Sequence, residues 1–167
     1  MFLFHGGPGA LLDGRGDFFQ AIDKHSPSTD FMRNLQSMLQ VKHQIPDIKS
    51  IVIFSAHWDE HQVTVDSTDG AAKLYYDYSG FPRELSAPYM TYPITTDIKL
   101  AERIHGMLNG AGVKNKLQPR REGFDHGSFI PLKLAFPESN IPIVQVSLKS
   151  NLDIADHIKI GEALAPL

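Results

Sequence analysis

Three of the chain's eight histidines share a setting that the other five lack. His5 follows the short apolar run FLF and precedes Gly6-Gly7-Pro8-Gly9. His57 follows the apolar run IVIFSA, beside the only tryptophan, and His126 stands in FDHGS. Each has small neighbours that let backbone or a ligand approach closely. Imidazoles converging on one pocket suit a divalent transition metal. Two histidines with a carboxylate or a third histidine, and open positions, serve non-haem Fe(II) oxygen chemistry or a zinc-dependent hydrolase. In the hydrolase, Asp59, Glu60 or Asp125 would be the carboxylate base. A histidine after a strand can equally be a hydrogen-bonded structural residue, so spacing alone leaves the three readings open.

The other histidines read as structural or solvated. His25 and His43 fall in polar loops and helix ends. His105 lies on an amphipathic helix, partly exposed, and His61 opens an alternating strand at the surface. His157 falls in the first turn of the final helix, in packing or solvent. Two nearby motifs fail on their details. FSAHW is not the G-x-S-x-G elbow that would expose Ser55 as a nucleophile. HGGPG has neither the Lys-Ser/Thr of a P-loop nor the spacing of a dinucleotide fingerprint.

Behind these residues the chain alternates strand and helix. MFLF reads as a first strand. STDFMRNLQSMLQVKHQIP is a helix capped by Thr29 or Asp30, with Phe31, Leu35, Met38 and Leu39 at helical spacing and Pro46 beyond its end. IVIFSA is a buried strand that stops near His57, and QVTVDS (62–67) alternates as a second. Residues 75–93, rich in aromatics, Pro and Gly, have no sustained period and form an excursion over a pocket. In TTDIKLAERIHGMLNGAG, Ile98, Ala101, Ile104 and Leu108 share a face, and Gly110 or Gly112 ends the helix. A loop with His126 at its turn leads to a short helix before Pro137. IPIVQVSL is another buried strand, and IADHIKIGEALAPL a last helix. This order implies one α/β domain over residues 1–167, with three layers and a mixed, mostly parallel central sheet flanked by helices. Ligands collect at the carboxyl ends of strands in such sheets, and His5 and His57 stand there.

The bulk composition narrows the partners. Apolar residues make up 42% and charged residues 21% of the 167, ordinary for a globular protein, and the net charge is −3. That balance argues against nucleic acid or an anionic membrane as partner, since both need a basic excess. The Arg120-Arg121 pair is too short to change this. There is no cysteine, so any metal is held by His, Asp or Glu. No apolar run approaches bilayer length and the start lacks a signal-peptide pattern, which makes a cytoplasmic location the expectation.

Taken in order, HGGPG, SAHW, YDYSGFPREL, FDHGSFIPL, IPIVQVSL and IGEALAPL resemble the class III extradiol ring-cleavage dioxygenases, most closely their DOPA-dioxygenase branch. The resemblance spans essentially the whole chain. It implies a non-haem metal at one end of the sheet, Fe(II) or Zn(II) in its place, and a catechol such as DOPA opened with O₂. His5 and His57 match the family's first two metal ligands. His126 matches a third histidine that is either a ligand or the acid/base beside the metal. Asp77, Tyr78 and Phe81 fall in the aromatic loop bordering the substrate pocket, and Trp58, Tyr78 and Phe81 would wall the catechol ring. The family continues past ALAPL to a further histidine ligand, so the chain reads as truncated at its C-terminus. A catalytically impaired metal-binding member is therefore the alternative. Sheet edges exposed at such an end would favour a homo-oligomer.

Overall fold

The computed structural model describes residues 7–12, 23–41, 47–138 and 140–167. The expected first strand, His5 and His43 lie outside them. Helix α1 spans Pro27–Val41. Strand β1 spans Ile51–Glu60, β2 Val63–Asp66, β3 Ala71–Ala72, β4 Leu74–Tyr75 and β5 Ile94–Thr95. Helix α2 spans Ile98–Gly110, followed by β6 Asn115–Gln118 and β7 Phe124–Asp125. Helix α3 spans His126–Ala135, strand β8 Ile143–Lys149 and helix α4 Ile154–Leu164. None of these helices is long and apolar enough to cross a membrane.

The central sheet has the order β1-β8-β2-β6. β1 runs parallel to β8 and β2 parallel to β6, while β2 meets β8 antiparallel at Val65 and Val146. The mixed, mostly parallel sheet is therefore as the sequence implied. Strand β8 is buried on both faces, and its alternation divides the layers. Val144 and Val146 join a core with Ala101, Ile104 and Leu108 of α2 and Ile160 and Leu164 of α4. Ile143 belongs to the opposite core, built from Met32 and Leu35 of α1 and Phe129, Ile130 and Leu132 of α3. Gln145 faces α3 too, donating to Asp125 and Ser128.

The structure corrects three local expectations. α1 begins at Pro27, and the cap is Ser26, whose Oγ accepts from the Thr29 amide at 3.2 Å. Proline is favoured at the first helical position because its missing N–H is not needed there, so the start moves ahead of Thr29 and Asp30. Met32 is then buried beside Leu35 while Phe31 is 49% exposed. Strand β2 is buried at all four positions rather than alternating, because it has a neighbour on each side and a layer on each face. β1 does not stop at His57: it continues to Glu60 after a break in register, where Ser55 pairs with Ser147 and Asp59 already pairs with Leu148.

The helix expected around Ile104 is present as α2. Ala101, Ile104 and Leu108 are fully buried, and the Asp97 side chain caps its start by accepting from Leu100 N. The chain leaves it through Gly112, at φ +68°. Residues 75–93 form an excursion with one short 3₁₀ turn, Arg83–Leu85, and Leu85 buried.

A two-residue parallel pairing ties this excursion to the start of α3. β4 lies against β7, with Leu74 opposite Phe124 and Tyr75 opposite Asp125. Gly123 makes this approach feasible. Its φ is +100°, and a Cβ there would sit 2.3 Å from the Lys73 carbonyl oxygen. Gly123→Ala is expected to cost roughly 1–3 kcal/mol for the backbone conformation alone, and more for the displaced carbonyl. Urea unfolding measures this, and a loss under about 0.5 kcal/mol would show that β4 is not held by this contact.

Candidate metal centre

The β4–β7 pairing brings residue 77 alongside residue 126. One Asp77 oxygen accepts from the His126 amide at 3.0 Å and lies 2.7 Å from His126 Nδ1. The other lies 3.0 Å from His57 Nδ1. A single carboxylate thus takes one imidazole on each oxygen. The two rings stand edge to face with centroids 4.2 Å apart.

Each histidine is placed by a specific backbone device. His57 falls in the stretch between Ser55 and Asp59 where four steps along β1 match one along β8. Such irregularities re-aim side chains at sheet ends. The Ser55 hydroxyl fixes this one, accepting from His57 N at 3.1 Å. His126 is the first residue of α3, and Asp125 caps that helix by accepting from Ser128 N. α3 is apolar on nearly every side and buried almost throughout, so its N-terminus is fixed by packing.

Asp125 does not orient the His126 ring, nor is it placed to be a base. It is fully buried, with Oδ1 accepting from Ser55 Oγ at 2.5 Å and Oδ2 pairing with Arg120 Nη1 at 2.6 Å. Orientation falls to Asp77, which sequence reasoning placed only in the loop beside the pocket. The signal was a lone acid within the aromatic run YYDYSGF.

Burial works to raise the Asp77 carboxyl. The backbone N–H of His126, its imidazole and the attraction between the two groups outweigh that, holding the carboxyl below its ordinary value. Asp77 is therefore a carboxylate at neutral pH and can only accept, so each imidazole facing it donates Nδ1–H and leaves Nε2 for another partner. Carboxylates hold metal-binding histidines in this way. His57, Asp77 and His126 each offer a ligand atom, all within 4.8 Å of one another. With both Asp77 oxygens engaged by the imidazoles, the donors left to a metal are the second ring nitrogens of His57 and His126, which suit a divalent transition metal.

The aromatic residues differ in placement. The Tyr78 ring stands edge-on to His126, centroids 5.4 Å apart, and Phe81 stands edge-on to Tyr78 at 5.5 Å. Burial, reinforced by Tyr76 and the Asp77 charge, pushes the Tyr78 phenol up to about 12. It stays protonated and donates to the Leu85 carbonyl. Trp58 is buried, its Nε1 on Glu60 and its ring 4.6 Å from the Arg120 guanidinium. Among the other histidines, His25 and His61 are exposed and His105 is half-buried, bonded to Asn115 and Asn109. His157 accepts from Lys149 N and lies against the Asp153 carbonyl. None of these four is in the metal-competent group.

Asp77→Asn tests the shared carboxylate. An amide oxygen can serve one imidazole N–H, but the amide nitrogen opposes the other. Co(II) affinity, read from the visible absorption of the bound ion, is expected to fall about 10–100-fold. Affinity equal to the parent would show that the carboxylate does not organise the site.

Known proteins share this sequence and fold. Residues 19–167 match the family model described as the catalytic LigB subunit of aromatic ring-opening dioxygenase. A 4,5-DOPA dioxygenase extradiol from Beta vulgaris is 36% identical over 99% of this chain and 56% of its own length. The Portulaca grandiflora protein of the same name is 38% identical over 71% of this chain and 43% of its own. The crystal structure of an uncharacterized Escherichia coli K12 protein superposes with a TM-score of 0.58 at 28% identity, over 82% of this chain and 48% of that one. The chain thus spans about half the length of the curated relatives it matches.

Proposed function

This chain belongs to the LigB family of aromatic ring-opening dioxygenases, and from that premise we propose that it is the core of an extradiol enzyme that opens a catechol such as DOPA with O₂. The observation that carries the reading is the pair His57 and His126 on the two oxygens of one Asp77 carboxylate. His57 and His126, with His5 as the further histidine expected from the sequence, would hold the metal. Fe(II) is the proposed ion, with Zn(II) able to occupy the same donors.

A bound metal of this kind supplies Lewis acidity toward the two catechol oxygens and a route for electrons to O₂. The chain's own residues manage protons and water. With Nδ1 engaged by Asp77, His126 has one ring nitrogen left; where Nε2 does not hold the metal, it would take the proton of a catechol hydroxyl and return it to the opened product. Asp77 keeps the ring oriented through Nδ1 between these events. Tyr78 and Phe81 would offer ring edges and faces to the catechol and exclude water, whereas the Trp58 ring is engaged by Arg120 and Glu60. Both oxygen atoms of O₂ end in the product, a muconic semialdehyde.

The test is anaerobic loading with Fe(II), then DOPA and air, following O₂ uptake and the semialdehyde absorbance. One O₂ consumed per catechol is the expected result. Metal binding without O₂ uptake would replace this reading with a metal-binding member that does not turn over, and no metal binding would end it.

A further inference from the structure

Two groups with no part in the proposed chemistry, Ser55 and Arg120, meet beneath the histidine pair. Ser55 is buried at the last residue of β1 before the register break, and its Oγ does two things at once. It donates to Asp125 Oδ1 at 2.5 Å and accepts from the His57 amide at 3.1 Å. Asp125 is adjacent in sequence to His126 and caps the helix that His126 opens. Its other oxygen is held by Arg120 Nη1 at 2.6 Å and Gln145 Nε2 at 2.9 Å. One hydroxyl therefore joins the backbone of His57 to the residue that fixes the backbone of His126. Asp77 joins the same two histidines from the imidazole side.

We propose that Ser55 is a positioning residue that sets the separation of the two imidazoles, acting through the His57 amide and the Asp125 carboxylate. A buried ion pair such as Arg120–Asp125 is a poor source of stability relative to apolar packing. Its use here is to hold Asp125 stationary, so that the Ser55 hydroxyl has a fixed acceptor. The consequence for metal affinity rests on the proposed metal site; the consequence for imidazole geometry does not.

Ser147 provides the control. It is opposite Ser55 in the β1–β8 register and as fully buried, but its Oγ accepts from Thr64 N rather than from either histidine's neighbourhood. Histidine ¹⁵N spectra of the metal-free full chain are compared for the parent, Ser55→Ala and Ser147→Ala, together with Co(II) titration. Ser55→Ala is expected to shift or broaden the His57 and His126 ring signals into mixed tautomers and to weaken Co(II) about tenfold. Ser147→Ala should lower Tm comparably and leave those signals in place. Parent-like ring signals in Ser55→Ala, or equal disturbance in both variants, would overturn the proposal. Should Ser55→Ala not fold, Arg120→Lys is read in its stead. It keeps the charge but loses the planar fork, and His126 signals should move in the same sense; unmoved signals overturn the proposal. A parent that binds no Co(II) would remove the metal reading while the ring signals still decide the role of Ser55.

Discussion

Replacing His126 with alanine is expected to lower catechol turnover by about 10²–10⁴, the usual worth of a positioned acid/base. The structure explains why so much rests on one ring. His126 is held at its amide and at Nδ1 by the same Asp77 oxygen, and its ring is nearly enclosed, so no water has the same position or basicity. Metal content measured on the same preparation divides the two roles that the sequence left open. Metal retained at the parental level with turnover lost assigns proton transfer to His126. Metal lost together with turnover makes it a ligand. A variant normal in both would remove His126 from the site.

The second large effect is on stability and concerns Arg120. Its side chain is 5% exposed and that of Asp125 is wholly buried. Arg120→Leu therefore strands a carboxylate in the interior. The expected loss is about 3–5 kcal/mol, the range for breaking a buried pair from one side, measured by urea unfolding. Adding Asp125→Asn should recover part of it. The amide has no charge to strand, and its oxygen can still cap α3 at Ser128 N. A double variant no more stable than Arg120→Leu alone would show that the loss comes from Arg120's packing over Trp58 rather than from the stranded charge.

His126 and Arg120 were unequally visible in the sequence, and the same contrast runs through the fold. The α2 face was legible because Ala101, Ile104 and Leu108 repeat at a spacing that only a helix makes contiguous. Strand β8 was legible from its β-branched run, but β1, expected to be buried, is only half-buried over IVI and exposed at Phe54, because β8 is its one sheet neighbour among the described residues. His57 and His126 could be singled out because glycine or small residues flank them. Asp77 could not be given its role, since that role is fixed by the pairing of Tyr75 with Asp125, which no local pattern encodes. The same holds for Asp125, whose partners Ser55, Arg120 and Gln145 come from three separate segments. Phe31 and Met32 show a subtler limit. Both fit an apolar stripe, and the one that turns inward, Met32, is decided by packing against the α3 side of the core rather than by the spacing.

The contact between Asp77 and His126 closes a loop of 49 residues, and it has a kinetic meaning. Ends that far apart meet only after considerable chain entropy has been given up, and contacts of such sequence separation are made slowly compared with helical turns. Neither α2 nor α3 can by itself bring a carboxylate to the histidines. The donor set is thus created by the final assembly of the chain. A metal present during refolding should find no such site in early helical species, and should stabilise the assembled state by mass action once it exists.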